Sequence, residues 1–89
     1  MGLFSKRKLV EGVNILASYN VRRVFLMIIN ESEYTIYVSE DPMNVKENGI
    51  PVYPFEILVF DRADGDRVES TFYAYTDKEV EIRVYEGVV

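Results

Sequence analysis

The chain has 89 residues, 48% hydrophobic and 28% charged, and its 15 acidic and 10 basic side chains leave a formal net charge of −5; this is the composition of one small globular domain, not of a disordered chain. It contains no cysteine, histidine or tryptophan, which excludes a disulfide framework, a thiolate or imidazole metal site and a histidine-activated Ser or Cys nucleophile. The acidic balance argues against nucleic acid as a partner, and the longest apolar run, Val24 to Ile29, falls far short of the about 20 residues that cross a bilayer, so no membrane partner is expected.

Residues 1–89 read as a single β domain, with 1–7 as a flexible arm. Met1-Gly2-Leu3-Phe4 lacks the apolar stretch of a secretory signal, which points to a protein kept in the cytoplasm where it is made or packed onto something assembled there. The basic cluster Lys6-Arg7-Lys8 reads as a solvated start to a strand, or as an anchor for an acidic partner. Lys8 to Leu16 holds one or two strands, with Gly12 a bulge or bend. Arg22 to Asn30 is an almost unbroken apolar run rich in β-formers and reads as a strand covered on both faces. Glu31-Ser32-Glu33 turns it into an alternating strand at Tyr34–Val38.

Ser39 to Pro54, with Pro42, Pro51, Pro54 and Asn48-Gly49, is a loop. It leaves room for one helical turn at Met43–Asn48 and a short extended piece near Ile50 to Tyr53. Phe55 to Phe60 is a strand, and Ala63-Asp64-Gly65-Asp66 a turn. Ser70 to Thr76 is a strand, followed after Asp77-Lys78 by Glu79 to Glu86, in which Val80, Ile82 and Val84 alternate with polar positions. The short link predicts that these last two strands form an antiparallel hairpin. The fold class is all-β: a small antiparallel β-sandwich or barrel of about six to eight strands. Many β-formers, many Glu and the absence of Cys and Gln suggest a thermostable protein.

Few side chains point to chemistry. Asp61, Asp64, Gly65, Asp66 and Glu69 form an acidic loop, but Ala63 occupies what would be a ligand position in a calcium loop, and Arg62 and Arg67 sit inside it. A charged turn is the plainer reading. Glu31, Glu33, Glu40 and Asp41 flank turns and read as solvated, whereas paired-carboxylate catalysis needs a desolvated acid in a cleft. No catalytic residue, metal site or cofactor is expected, and the protein is read as a non-enzyme.

The seven tyrosines are the most suggestive feature. In the expected hairpin, Tyr73, Tyr75 and Tyr85 gather on one outward face. That face reads as ordinary cross-strand packing, as an interface patch, or as a platform for stacking sugar rings. Arg22 and Arg23 open the central strand. One of them is expected to hold the sheet edge or the acidic loop, and Arg23 is the candidate for a subunit contact. The candidate interface is therefore Arg22, Arg23, Tyr73, Tyr75 and Tyr85.

As a pattern, Tyr19-Asn20-x-Arg22-Arg23 leads to an apolar strand ending in Ile29-Asn30. Ile36-Tyr37-Val38, Asn48-Gly49-Ile50-Pro51-Val52-x-Pro54, Phe72-Tyr73-Ala74-Tyr75 and Arg83-Val84-x-Glu86 follow. Over residues 10–86 this resembles a group of small all-β proteins of tailed bacteriophages and prophages, associated with head and virion-structure genes. Pro54-Phe55-Glu56 stands where that group's loop has Pro-Gly-Glu, and Glu, Lys, Val and Tyr replace much of its usual Gly, Ala, Thr and Gln. The resemblance implies a structural virion protein, made in the host cytoplasm, that binds the capsid or other virion proteins of the head–tail region through surface contacts as a homo-oligomer. The alternative function is a carbohydrate- or receptor-binding β-module.

Overall fold

The computed structural model describes residues 2–89, and its elements in chain order are β1 Gly2–Leu9, β2 Gly12–Ala17, β3 Arg23–Ile29, β4 Ile36–Ser39, the single helical turn α1 Val45–Asn48, β5 Ile50–Val52, β6 Ile57–Asp61, a 3-10 turn at Arg62–Asp64, β7 Phe72–Thr76 and β8 Val80–Val88. The strands build two four-stranded antiparallel sheets, ordered β1-β8-β3-β6 and β2-β7-β4-β5. The architecture is the sandwich of the two expected alternatives, not the closed barrel. Period-two alternation explains it: most strands have an apolar face to bury, and the two sheets bury theirs against each other. Leu26, Ile28, Ile82 and Val84 of the first sheet meet Leu16, Ile36, Val38 and Phe72 of the second. Phe60 lies against Phe72 with ring centroids 4.8 Å apart.

Three expectations are corrected. The last two strands are not a hairpin. β7 lies in the second sheet and β8 in the first, so the chain arches across the core between them. Thr76, fully buried, fixes the corner: its hydroxyl donates to the Lys78 carbonyl at 2.6 Å and accepts from the Lys78 N–H at 3.2 Å. Nor is β3 covered on both faces. Leu26 and Ile28 are buried, whereas Phe25, Met27 and Ile29 lie on the other face and are only half-buried. Finally, Gly2 to Leu9, which takes in most of the arm expected at 1–7, is a strand paired residue by residue with β8, from Gly2 opposite Gly87 to Leu9 opposite Val80. Met1 lies outside the described residues.

The far end of β3 is tied down by Asn30, which is 0% exposed. Its Nδ2 donates to the Tyr34 and Val52 carbonyls, each at 2.8 Å, and its Oδ1 accepts from the Ser32 N–H at 3.0 Å. Its backbone N–H donates to Glu56 O at 3.0 Å and its carbonyl accepts from Phe55 N–H at 2.6 Å. One buried amide thus joins β3, the following loop, β5 and the turn before β6.

Candidate functional site

The arch from β7 to β8 separates the residues singled out from the sequence. Tyr73 and Tyr75 stand on the outer face of the second sheet, Tyr85 on the outer face of the first. They form no common patch.

Arg23 is not a surface residue at all. It is 1% exposed, its Nη1 donating to the Val68 carbonyl at 2.8 Å and to the Ser70 carbonyl at 3.0 Å. Its Nη2 donates to the Ser18 carbonyl and lies 3.4 Å from Glu86 Oε1, which sits 3.8 Å from Arg7 Nη2. A β-bulge between Arg23 and Phe25, where β3 meets β8, turns Arg23 inward against the parity of Phe25 and Met27. Its part is to hold two loops to the sheet. Arg22 does remain exposed, and its Nε donates to the Val89 carbonyl.

The outer face of the first sheet carries what the sequence reading missed. Across all four strands the register lines up Phe4, Tyr85, Met27 and Val59. Beside this row, Ile57 and Ile29 are opposite each other. Phe4 is 56% exposed and Ile57 58%, and Val59 is also exposed. Tyr85 packs against Phe4 at 4.6 Å and Phe25 at 5.8 Å between ring centroids. Two glycines make room for these rings. A Cβ at Gly2 would run into the Tyr85 ring, and one at Gly87 would meet Phe25 Cβ at 3.0 Å. The charges flanking the row are paired within the chain: Lys6 with Glu81 at 3.7 Å, Lys8 with Glu79 at 3.1 Å and Arg83 with Glu31 at 2.7 Å. The signal was present in β3, whose odd positions Phe25, Met27 and Ile29 are as apolar as its even ones.

The outer face of the second sheet is built around tyrosines. Val13, Tyr75, Tyr37 and Pro51 line up there, beside Ile15, Tyr73 and Ser39. The Tyr37 and Tyr75 ring centroids are 6.4 Å apart. Tyr75 donates its hydroxyl to Asp77 Oδ1 at 2.9 Å, and Lys46 reaches the same carboxylate at 3.1 Å from its place 5.5 Å over the Tyr75 ring. These hydrogen bonds hold the Asp77 carboxyl below its ordinary value, Tyr75's bond counting most and Lys46's next. The bond to Asp77 likewise raises both Tyr75 and Lys46.

Two carboxylates of the acidic loop close onto its own backbone. Asp61 Oδ1 accepts from Ala63 N–H at 2.9 Å and Asp66 Oδ2 from Asp61 N–H at 2.9 Å. Among the described residues no group of three or more acidic side chains is placed to hold a metal ion. A depression of about 410 Å³ beside this loop is lined by Tyr19, Val21, Arg62, Asp66, Arg67 and Glu69 among others.

The turn from β5 to β6 is closed by Glu56 N–H donating to the Tyr53 carbonyl at 3.0 Å, with Pro54 and Phe55 at its centre. Phe55 has φ 65° and is 70% exposed. A positive φ at the third position of a β-turn is the type II signature and favours glycine. Here a large aromatic side chain is held there, pointing into solvent. The chain matches no protein-family model, no curated protein and no solved structure.

Proposed function

We propose that the protein is a non-enzymatic structural component of a virus particle, bound to the capsid or the head–tail region through the outer face of its first sheet and present there as a homo-oligomer. The observation that carries this reading is the row Phe4–Tyr85–Met27–Val59, which crosses a whole sheet face without a charge. A water-exposed apolar face of this extent marks a place where another surface is buried. The flanking lysines and arginine already have carboxylate partners in the chain, so the face suits a partner that is apolar at its centre and needs no charge of its own. The motif resemblance over residues 10–86 is what suggests the virion context.

The test is to purify particles from the virus or prophage that encodes the chain and to quantify the protein in them by mass spectrometry. Copies in fixed ratio to the shell protein are expected. Added protein should co-sediment with particles stripped of it, and the Tyr85→Lys variant, folded but charged in the middle of the row, should not. Particles devoid of the protein would overturn the reading.

A further inference from the structure

A sheet of four strands has two edges, and a sandwich of two such sheets has four. Three of them are blunted against further pairing. β1 carries Lys6, Arg7 and Lys8 along its edge, β2 is broken by a bulge between Ile15 and Ala17, and β5 is three residues long with Pro51 in its middle. The fourth, β6, reads Ile-Leu-Val-Phe from Ile57 to Phe60 with no charge, proline or bulge, and among the described residues it has β3 on one side and nothing on the other.

The ladder shows which of its groups are open. Asn30 N–H bonds to Glu56 O at 3.0 Å. Antiparallel pairs exchange hydrogen bonds at every second position, so Leu58 and Phe60 also bond to β3. Ile57, Val59 and Asp61 turn their N–H and C=O outward. Asp61 is already closed, because its N–H donates to Asp66 Oδ2 at 2.9 Å and its carbonyl accepts from Asp66 N–H at 3.3 Å. At the other end the Phe55 N–H is given to the Asn30 carbonyl. The open edge is therefore the N–H and C=O of Ile57 and Val59, two donors and two acceptors between two closed turns.

We infer that β6 is the contact between two copies of this chain, paired antiparallel about a two-fold axis at Leu58. Ile57 then lies opposite Val59 of the second copy, and Val59 opposite its Ile57. Every open group is satisfied in four hydrogen bonds, and neither flanking turn has to open. A longer foreign strand meets the Asp66 bridge at one end and the Phe55 turn at the other, whereas the chain's own β6 fits between them. In this register Glu56 faces Phe60 and Asp61 faces Phe55 of the other copy, so no carboxylate opposes a carboxylate despite the net charge of −5 on each chain. The two first sheets join into one of eight strands, and the apolar row continues from Val59 of one copy into the next. The inference rests on the homo-oligomeric assembly proposed above and names its contact.

The test combines sedimentation with amide hydrogen exchange of the intact chain. The expected species has twice the mass of one chain. In it the Ile57 and Val59 amides exchange as slowly as that of Leu58, and they lose that protection, by about tenfold or more, on dilution to monomer. Val59→Pro removes an N–H that β3 does not use and should halve the mass while leaving the far-ultraviolet spectrum unchanged. A monomer at every concentration, or a dimer whose Ile57 and Val59 amides exchange freely, would overturn the inference; the exchange measurement stands even if the proline variant misfolds. A monomer that still binds particles would sink the β6 contact and spare the virion reading. A dimer with protected amides that binds no particle would do the reverse.

Discussion

Replacing Arg23 tests whether a single buried guanidinium holds one end of the sandwich together. In Arg23→Ala, the carbonyls of Val68, Ser70 and Ser18 lose their donor and Glu86 loses one of its two arginines. Each hydrogen bond from a charged donor contributes about 1.5–3 kcal/mol. Water entering the vacated space recovers part of that, so the expected loss is that of a broken buried pair, about 3–5 kcal/mol. Against the about 5–15 kcal/mol available to a small domain, this is a large share. It corresponds to a fall in Tm of about 4–8 °C for each kcal/mol. Arg23→Met is the sharper variant. An apolar replacement rescues many buried ion pairs because both charges can be removed together, but here the acceptors are mainly backbone carbonyls, which no substitution deletes. Met should therefore also cost at least about 2 kcal/mol. Arg23→Lys should recover less than half of the loss, because one ammonium cannot reproduce a planar fork aimed at three carbonyls. Urea unfolding followed by tyrosine fluorescence measures this as a lower midpoint at constant m. A loss under about 1 kcal/mol in Arg23→Met, or full rescue by Lys, would refute the reasoning.

Phe55→Gly should stabilise the fold by about 0.5–1 kcal/mol, the relief of a left-handed backbone exceeding the entropy a glycine adds to the unfolded chain; an unchanged or lower Tm would count against strain at this turn. Gly87→Ala should displace Phe25 and destabilise, with weakened Tyr85 ring-proton shifts in NMR spectra as the marker. The Asp77 carboxyl lies below its ordinary 3.8, so its contribution to stability is present above that pH and is lost as pH falls through the lower folded value. Tyr75 and Lys46 lie above their ordinary 10.0 and 10.5, so theirs is present below those values and is lost as pH rises through the raised ones. Asp77→Asn should remove both limbs and bring the absorbance titration of Tyr75 back toward 10.0; an unshifted tyrosine in the parent protein would contradict the bond.

The sequence was most informative where one residue decides its own position. Val80, Ile82 and Val84 announce a half-buried strand, and the single helical turn and the proline-broken loop lie where residue chemistry puts them. What period two cannot supply is the partner. It assigns Phe72 and Val80 to the core without saying whether their strands lie side by side or face each other; the corner between them, closed by the Thr76 hydroxyl, carries no such signal. Likewise the bulge that turns Arg23 inward leaves no mark in the sequence, so a buried strut and an exposed neighbour, Arg22, read alike. The basic cluster marks the start of a strand, but the reach of β1 back to Gly2 is not legible, because it is an edge strand with only Leu9 buried, held by its ladder to β8 more than by an apolar stripe. Phe25 and Met27 were read as covered because apolar residues usually are, and an exposed apolar face becomes visible only when the opposing layer is found to be missing.

The pairing of β1 with β8 has a consequence for how the molecule comes into being. Gly2 meets Gly87 and Leu9 meets Val80, so β1 has no neighbour in its sheet until β8 has been synthesised. Closing so long a loop is rewarded only at the end, which places the chain among slow, topology-limited folders. Throughout that wait β3 can pair with β6 but its other edge, the one β8 will take, stands open in water, where strands of other nascent chains compete for it. Lys6 and Lys8, which face solvent, keep the waiting β1 from joining that competition.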